Sequence, residues 1–253
     1  MAFLRLRNVT VDFPIYQGTS RSLKKAIFAA SLQRNFARDS VDRVTVRALD
    51  NVSLDIEHGS RVALIGSNGA GKSTLLKTLA GIYEPSHGTV HAQGSISALL
   101  NISVGFNQEA TGLENIMLRG MCMGISPGEM RGYVTEIAEF TELGPYLDMP
   151  IRTYSAGMSV RLAFATSTCK RPEILLMDEW LSAGDASFLS KAQQRMAGFV
   201  DQSSILVLAS HSLQLLEQWC DIGLFLHQGH IRAAGPIKNV INEYQKTVDQ
   251  NHG

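Results

Sequence analysis

The sequence has 253 residues, of which 45% are hydrophobic and 18% charged, and its formal net charge is zero. This composition is ordinary for a packed globular protein with one large domain, and the neutral charge gives no electrostatic reason to expect a nucleic-acid partner. The longest apolar runs fall far short of the roughly 20 residues of a membrane span, and Arg5, Arg7 and Asp12 argue against a signal peptide.

The three cysteines, Cys122, Cys169 and Cys220, are widely spaced and odd in number. This usage is typical of proteins from a reducing compartment, where disulfides do not persist. We therefore expect three free thiols that pack as small core residues.

The chain opens with an alternating pattern, since apolar and polar residues alternate between Phe3 and Phe13, which predicts a strand. The next segment, residues 17–47, contains seven basic and two acidic side chains. Its apolar residues do not share one helical face. We expect a helical insertion over residues 17–43, which either lies against a second surface such as lipid headgroups or is a solvated surface helix.

Residues 66–74, GSNGAGKST, lie between the apolar run 62–65, which predicts a buried strand, and a run with helical periodicity. A glycine-rich loop in this context is typical of a phosphate-binding loop, because its N–H groups form a nest for an anion. Lys72 would reach the β- and γ-phosphates, and the Ser73 hydroxyl would complete the coordination of Mg²⁺. The predicted nucleotide-binding residues of the loop are Gly66, Ser67, Asn68, Gly69, Ala70, Gly71, Lys72, Ser73 and Thr74.

The middle of the chain has a helical pattern, whereas the segments before and after it contain short apolar strands. This order predicts a mostly parallel sheet covered by helices. We assign residues 1–100 and 166–253 to an α/β core and residues 101–165 to a helical subdomain inserted in it.

Two adjacent carboxylates, Asp178 and Glu179, follow the apolar run 174–177. Ligands bind at the carboxyl ends of strands in α/β sheets, so we expect Asp178 to contribute to the Mg²⁺ shell. Glu179 would polarise a water toward the γ-phosphate as general base. His211 follows another buried strand and would sense the γ-phosphate by hydrogen bonding, although a histidine in such a place is often structural.

Ser155 lies just before a helical segment and is a candidate N-cap. A helix N-terminus presents unpaired N–H groups and partial positive charge, so it is a second candidate anion site. The motifs contain no arginine finger to stabilise the transition state. If the Ser155 helix of one copy covers the nucleotide of another, dimer closure would gate hydrolysis. The residues of this motif are Tyr154, Ser155, Ala156, Gly157 and Met158.

Together with LSAGD, which ends at Asp185, these motifs have the order and spacing of an ABC-transporter ATPase subunit. The chain resembles that family over essentially its whole length. GSNGAGKST corresponds to Walker A, YSAGM to the signature, ILLMDE to Walker B, LSAGD to the D-loop and Ser210 with His211 to the H-loop.

The resemblance implies an α/β fold with a P-loop, RecA-like and mostly parallel sheet core, an antiparallel β element and the inserted helical subdomain. It implies an ATP hydrolase in which Lys72, Glu179 and His211 serve catalysis, with ATP and Mg²⁺ bound and Asp178 holding the metal through a water. It also implies a homodimer with two ATPs sandwiched between Walker A and signature motifs, and a separate integral membrane transport subunit.

Within the family the chain is most similar to ATPase subunits that export cell-surface polysaccharides. The similarity rests on the insertion that follows Phe13 and Tyr16, on residues 104–115 and on residues 154–162. It implies that residues 20–38 form a helix near the membrane surface, where an anionic lipid-linked glycan would meet the basic side chains. The implied location is the cytoplasmic side of the inner membrane.

Three positions depart from the family pattern. The signature is YSAGM instead of LSGGQ. No glutamine occupies the Q-loop position, for which Asn101 is the nearest polar candidate. The aromatic residue that stacks on adenine is either Phe13 or Tyr16.

An exporter of an O-antigen-like polysaccharide is the leading prediction, with teichoic acid or capsule as alternative substrates. A P-loop ATPase without a transport role is the alternative of another class, but such ABC proteins usually have two ATPase halves or a long coiled coil. A GTPase would contain an NKxD motif, which is absent, and a kinase would not need YSAGM.

Overall fold

The fold was determined from a computed structural model, which describes residues 1–14, 36–38, 44–100, 105–178 and 186–250. Within these ranges the chain forms two β-sheets, and helices cover them. The strands are β1 (Phe3–Pro14), β2 (Phe36–Arg38), β3 (Val44–Glu57), β4 (Arg61–Ile65), β5 (His87–Gln93), β6 (Ile96–Leu99), β7 (Ile174–Asp178), β8 (Ile205–Ala209), β9 (Ile222–His227) and β10 (His230–Pro236).

Within the part of the chain that the structure describes, a helix follows the phosphate loop and three lie in the middle of the chain, as the sequence predicted, and three more follow in the last third. None of those in the described ranges combines the length and hydrophobicity that a membrane crossing requires. They are α1 (Lys72–Leu79), α2 (Gly112–Cys122), α3 (Pro127–Thr141), α4 (Ala156–Ser167), α5 (Ala186–Gln202), α6 (Leu213–Trp219) and α7 (Ile237–Gln250), with 3₁₀ turns at Gly144–Asp148 and Ile151–Thr153.

The larger sheet has the strand order β10-β9-β4-β8-β7-β6, and all neighbours are parallel except β10, which pairs antiparallel with β9. Its central strands β4, β7 and β8 are buried almost throughout, as expected for a sheet covered on both faces. In register, Ala209 lies opposite both Leu64 and Asp178. The carboxyl ends of the three strands therefore meet at one edge, and the predicted fold class is confirmed.

The smaller sheet is antiparallel, with the order β2-β3-β1-β5. Its register places Asp12 opposite Arg47 and Phe13 opposite Val46. Phe36–Arg38 pairs with β3, so the helix predicted over residues 17–43 is wrong at these three residues. Backbone pairing to β3 outweighs the weak helical pattern there. The remainder of that prediction, including Arg21, Lys24 and Lys25, falls outside the described residues.

Three apolar clusters hold these layers together. One lies between the two sheets and α1, and a second covers the opposite face of the larger sheet with α5, α6 and α7. The third belongs to α2, α3 and α4 and includes Ile116, Met130 and Leu162. Phe140 of α3, Phe164 of α4 and Phe188 of α5 contact one another, with ring centroids 5.8 to 6.0 Å apart. These rings join the helical part to the core; the division at residues 101 and 165 stays a prediction.

The cysteines differ in environment, since Cys122 is exposed whereas Cys169 and Cys220 are buried, and all three are free. The expectation that every thiol packs in the core is therefore wrong for Cys122, which ends α2 on its solvent side. Burial raises the pKa of Cys169 to about 11 and that of Cys220 to about 12. Only the thiolate is nucleophilic. These two thiols are therefore protected from alkylation, because they are buried and because their raised pKa keeps them protonated.

We predict that iodoacetamide at pH 8 alkylates Cys122 alone in the native protein and all three cysteines in denaturant. Peptide mass spectrometry identifies the modified positions. A Cys122→Ser variant serves as control and should remain unmodified when native. Rapid native labelling of Cys169 or Cys220 would contradict the burial of these two thiols.

Candidate active site

A cavity of about 510 Å³ opens at the edge where β4, β7 and β8 end. Its volume falls in the range of small-ligand and cofactor sites. Both sheets contribute to it, and most of its wall is polar. The lining residues are Phe13, Val46, Arg47, Ala48, Asn68, Gly69, Ala70, Gly71, Lys72, Ser73, Thr74, Leu100, Asp178, Ser210, His211 and Gln228.

The glycine-rich loop owes its path to two glycines that no other residue could replace without displacement. Gly66 and Gly71 have φ angles of 155° and 109°. A Cβ on Gly66 would lie 2.4 Å from the Leu226 carbonyl oxygen, and one on Gly71 would lie 2.7 Å from that of Ala48. The loop is thus pressed between β9 and β3, which explains why glycine is needed there.

The loop ends at the start of α1, whose N-cap Gly71 has no side chain to pair with the first N–H groups of the helix. Residues 72–74, which carry these donors, line the cavity. The helix terminus is therefore suited to an anion. Lys72 is buried, and its Nζ donates to the carbonyl oxygens of Gly66 at 2.6 Å and Ser67 at 3.1 Å. Its ammonium group is therefore held at the loop.

The structure brings the other predicted phosphate-end residues to the same cavity. Asp178 is the last residue of β7, and Ser210 and His211 follow β8; all three line the wall with Ser73. The Ser73 hydroxyl and the Asp178 carboxylate are hard oxygen donors, which fit Mg²⁺. No group of three His, Cys, Asp or Glu able to hold a metal occurs in the described ranges, and Mg²⁺ at nucleotide sites typically uses few protein ligands.

Strands β1 and β3 also line the cavity. Phe13 lies there, and its ring packs edge-on against Tyr83 with centroids 5.1 Å apart. Arg47 lies beside it, a residue that the sequence analysis counted only as part of the basic segment. Sequence reasoning also missed Val46, Ala48 and Leu100. No local pattern identifies them, because their place depends on pairing between distant segments.

Gln228 was missed too, although its neighbourhood gives a local signal. Gln228 and Gly229 form the two-residue turn between β9 and β10, and both have positive φ, as such hairpins require. The Gly229 N–H donates to the Ala70 carbonyl oxygen at 3.0 Å. A Gln-Gly hairpin was predictable, but its hydrogen bond to the phosphate loop was not.

The signature segment lies outside this cavity. The Ser155 hydroxyl accepts a hydrogen bond from the Met158 N–H at 3.2 Å and caps α4, so the predicted N-cap is confirmed. The Tyr154 hydroxyl donates to the Tyr146 carbonyl oxygen at 2.6 Å, and burial raises the pKa of Tyr154. None of residues 154–158 lines the cavity, so within one chain the two predicted anion sites are not part of the same cavity.

Four predicted site residues lie outside the described residues: Glu179, Asp185, Asn101 and Tyr16. Of the two candidates for stacking on adenine, Phe13 is thus the one that the structure places at the cavity.

Residues 49–182 match the family model described as ABC transporter. The chain belongs to the ABC transporter family. This membership confirms the resemblance inferred from the motifs and the assignment of the chain as an ABC-type ATPase with a nucleotide-binding site.

Several curated relatives of this family member are named as export ATPases. The chain is 43% identical to the O-antigen export system ATP-binding protein RfbE of Yersinia enterocolitica, with 91% of this chain and 97% of that protein covered. It is 42% identical to the O-antigen export system ATP-binding protein RfbB of Myxococcus xanthus, with 83% of this chain and 48% of that protein covered. It is 36% identical to the teichoic acids export ATP-binding protein TagH of Bacillus anthracis, with 96% and 42% covered. The chain thus spans less than half of the last two proteins.

Solved structures share the ABC fold at low sequence identity. An ATP binding subunit of an ABC transporter superposes with a TM-score of 0.68 at 21% identity, covering 96% of this chain and 93% of that one. A dimeric ATP-binding cassette in a post-hydrolysis state, bound to ADP and Pi, gives 0.66 at 20% identity, covering 92% and 98%. These likenesses establish the fold.

We predict that Gly71→Ala weakens ATP binding at least about tenfold, because strain of roughly 1–3 kcal/mol at such a φ would displace the loop. Isothermal titration calorimetry measures the affinity. Gly198→Ala is the matched control, since Gly198 lies in α5 with no atom within 4 Å of an added Cβ and should bind ATP normally. An unchanged affinity in Gly71→Ala would show that the loop tolerates a side chain there.

Proposed function

We propose that this chain is the ATPase subunit of an exporter that moves a lipid-linked, O-antigen-like polysaccharide through a separate membrane-spanning partner. The observation that carries the proposal is a cavity lined by the glycine-rich loop, Asp178 and His211 in a chain that covers 97% of an O-antigen export ATPase at 43% identity. Teichoic acid export is the alternative, supported by 36% identity to TagH; capsule is a third substrate of the same kind.

The chain's own groups account for binding of the triphosphate. Backbone N–H groups of residues 69–74 and the N-terminus of α1 surround the phosphates. Lys72 exchanges its bonds to the Gly66 and Ser67 carbonyls for the β- and γ-phosphate oxygens. When bound, Mg²⁺ would be held by Ser73 and, through a water, by Asp178, and it would neutralise charge on the phosphates.

Hydrolysis requires a base and a donor at the γ-phosphate. Glu179 directly follows Asp178, so it is the candidate that takes a proton from the attacking water, whose oxygen bonds to phosphorus as the bond to ADP breaks. His211 lines the cavity with Asp178 and would donate a hydrogen bond to the γ-phosphate. Its side chain would thereby distinguish ATP from ADP.

A second copy of the chain would complete the site. The first turn of α4 contains no acidic residue, and its capped N-terminus lies outside the chain's own cavity. A Cβ on Gly157 would have only the Ser155 Oγ within 4 Å, at 3.9 Å, so the fold itself does not require glycine there. We place this face against the γ-phosphate held by the other copy, in a homodimer with two ATPs and Asp185 at the interface.

The membrane partner and the lipid-linked glycan would be met by segments that lie mostly outside the described residues. The basic residues within 20–38 would lie near the anionic headgroup of the glycan carrier, and Asn101 would stand where the Q-loop contacts the transport subunit. ATP is supplied from the cytosol, so the subunit would work on the cytoplasmic side of the inner membrane. Nucleic acid has no role in this proposal.

We predict that Gly157→Asp leaves folding and ATP binding intact but lowers ATPase activity by about a hundredfold. An acidic side chain in the first turn favours the free helix, yet it would repel the partner's γ-phosphate by several kcal/mol. Gly128→Asp is the matched control, because Gly128 is also the second residue of its helix and has no atom within 4 Å of a Cβ. Equal activity of the two variants would contradict the shared site.

We predict that Glu179→Gln binds ATP but hydrolyses it at least about a hundredfold more slowly, as expected when a general base is removed. Light scattering should detect an ATP-dependent dimer that persists. In cells, replacement of the wild-type chain by this variant should leave polysaccharide synthesis intact and abolish its display at the surface. Normal turnover would reject Glu179 as the general base. Normal surface display with impaired ATPase activity would reject the polysaccharide as the exported substrate.

A further inference from the structure

Asn115, in the first part of α2, is a polar side chain that is completely buried. Its Oδ1 accepts a hydrogen bond from the Asn107 N–H at 2.8 Å. Its Nδ2 lies 2.9 to 3.1 Å from the carbonyl oxygens of Asn107, Ala110 and Thr111. Because a side-chain amide offers one oxygen acceptor and one NH₂ donor, both polar groups of Asn115 are used to hold the 107–111 loop on α2.

No apolar core holds this loop. Asn107, Gln108 and Glu109 are exposed, and none of residues 107–111 belongs to the three apolar clusters described above. Polar contacts therefore set its path, and Asn115 supplies those on the side of α2. When a buried partner is removed, the groups it satisfied are left unpaired, so the loop would move to regain hydrogen bonds with water.

The other side of the loop pairs with the segment that precedes the signature. The Ile151 N–H donates to the Ala110 carbonyl oxygen at 3.0 Å, and the Arg152 N–H donates to that of Gln108 at 3.1 Å. The Ala110 oxygen thus accepts from Ile151 on one side and from the Asn115 amide on the other. One carbonyl group joins the two networks.

From Ile151 the chain reaches the signature within one turn. The Tyr154 N–H donates to the Ile151 carbonyl oxygen at 2.8 Å, and Ser155 then caps α4. The Tyr154 hydroxyl lies against Gly112, the first residue of α2, where a Cβ would collide with it. The N-terminus of α4 is therefore fixed relative to the loop by backbone bonds and by the Tyr154 ring.

We propose that Asn115 is a positioning residue for the signature of its own copy, and thereby for hydrolysis of the ATP held by the other copy. The inference rests on the proposed shared site and adds the side chain that orients it. Asn115 does not line the nucleotide cavity, so it acts through the 107–111 loop. A misplacement of about 1 Å costs a reaction up to about a hundredfold in rate, so a displaced α4 lowers turnover while the phosphate loop still binds ATP.

Asn115→Asp keeps the size of the side chain and an acceptor for the Asn107 N–H but removes the NH₂ donor. We expect kcat to fall about ten- to a hundredfold, with ATP affinity by calorimetry within about twofold of wild type. Asn115→Ala, which introduces no charge, should behave alike. Thr141→Val is the matched control, because Thr141 is equally buried and donates to the Ala138 carbonyl oxygen within α3. Its kcat should be that of the wild type.

Mixed dimers show which copy Asn115 serves. Asn115→Asp mixed with Lys72→Ala gives dimers in which one site combines an intact phosphate loop with an intact signature. ATPase activity should rise well above that of either variant, to roughly a quarter of wild type, since half of the dimers are mixed and each has one intact site. Asn115→Asp mixed with Gly157→Asp should show no recovery, because every site then has a damaged signature.

Other outcomes overturn the proposal. Recovery with Gly157→Asp but not with Lys72→Ala would mean that Asn115 serves the nucleotide of its own copy. Recovery with both or with neither, an equal loss of kcat in Thr141→Val, or an unchanged kcat in both Asn115 variants would assign Asn115 to the fold alone. The pair Lys72→Ala with Gly157→Asp tests the proposed function by itself. Absence of recovery in that pair would reject the shared site, which is a distinct result.

Discussion

The backbone of the phosphate loop is held between the two sheets, and the rest of the site depends on this confinement. Gly66 lies against β9 and Gly71 against β3, each at a distance that leaves no space for a Cβ. The Gly229 N–H fixes Ala70 from one side, and the Asp50 N–H donates to the Gly229 carbonyl oxygen at 3.0 Å. One short hairpin therefore connects the loop, the parallel sheet and the antiparallel sheet.

The site also depends on the parallel pairing of the strands that end at the cavity. Because β4, β7 and β8 run in the same direction, whatever follows each strand meets at one edge. The chain uses this edge to gather the phosphate loop with a carboxylate, Asp178, and a histidine, His211, that both lie more than 100 residues further along the sequence. The antiparallel sheet adds its own residues to the cavity wall, among them Phe13 and Arg47.

Features set by neighbouring residues could be predicted from the sequence, whereas those set by distant pairing could not. The loop, the Ser155 cap and the buried strands follow from local composition and periodicity, and all were located correctly. Arg47 was misjudged as a surplus charge, because its partner Asp12 lies on another strand and only register reveals the pairing. Phe36–Arg38 similarly became a strand through contact with β3. Propensity alone carries no information about such partners.

Cys122 gives the molecule a natural attachment point for a spectroscopic probe. Cys122 ends α2 in the helical part and does not line the nucleotide cavity. Since the remaining two thiols are enclosed, a fluorophore coupled at this one position needs no engineered cysteine. Energy transfer from it to a labelled nucleotide would report the distance between the end of α2 and the nucleotide during turnover in the unaltered chain.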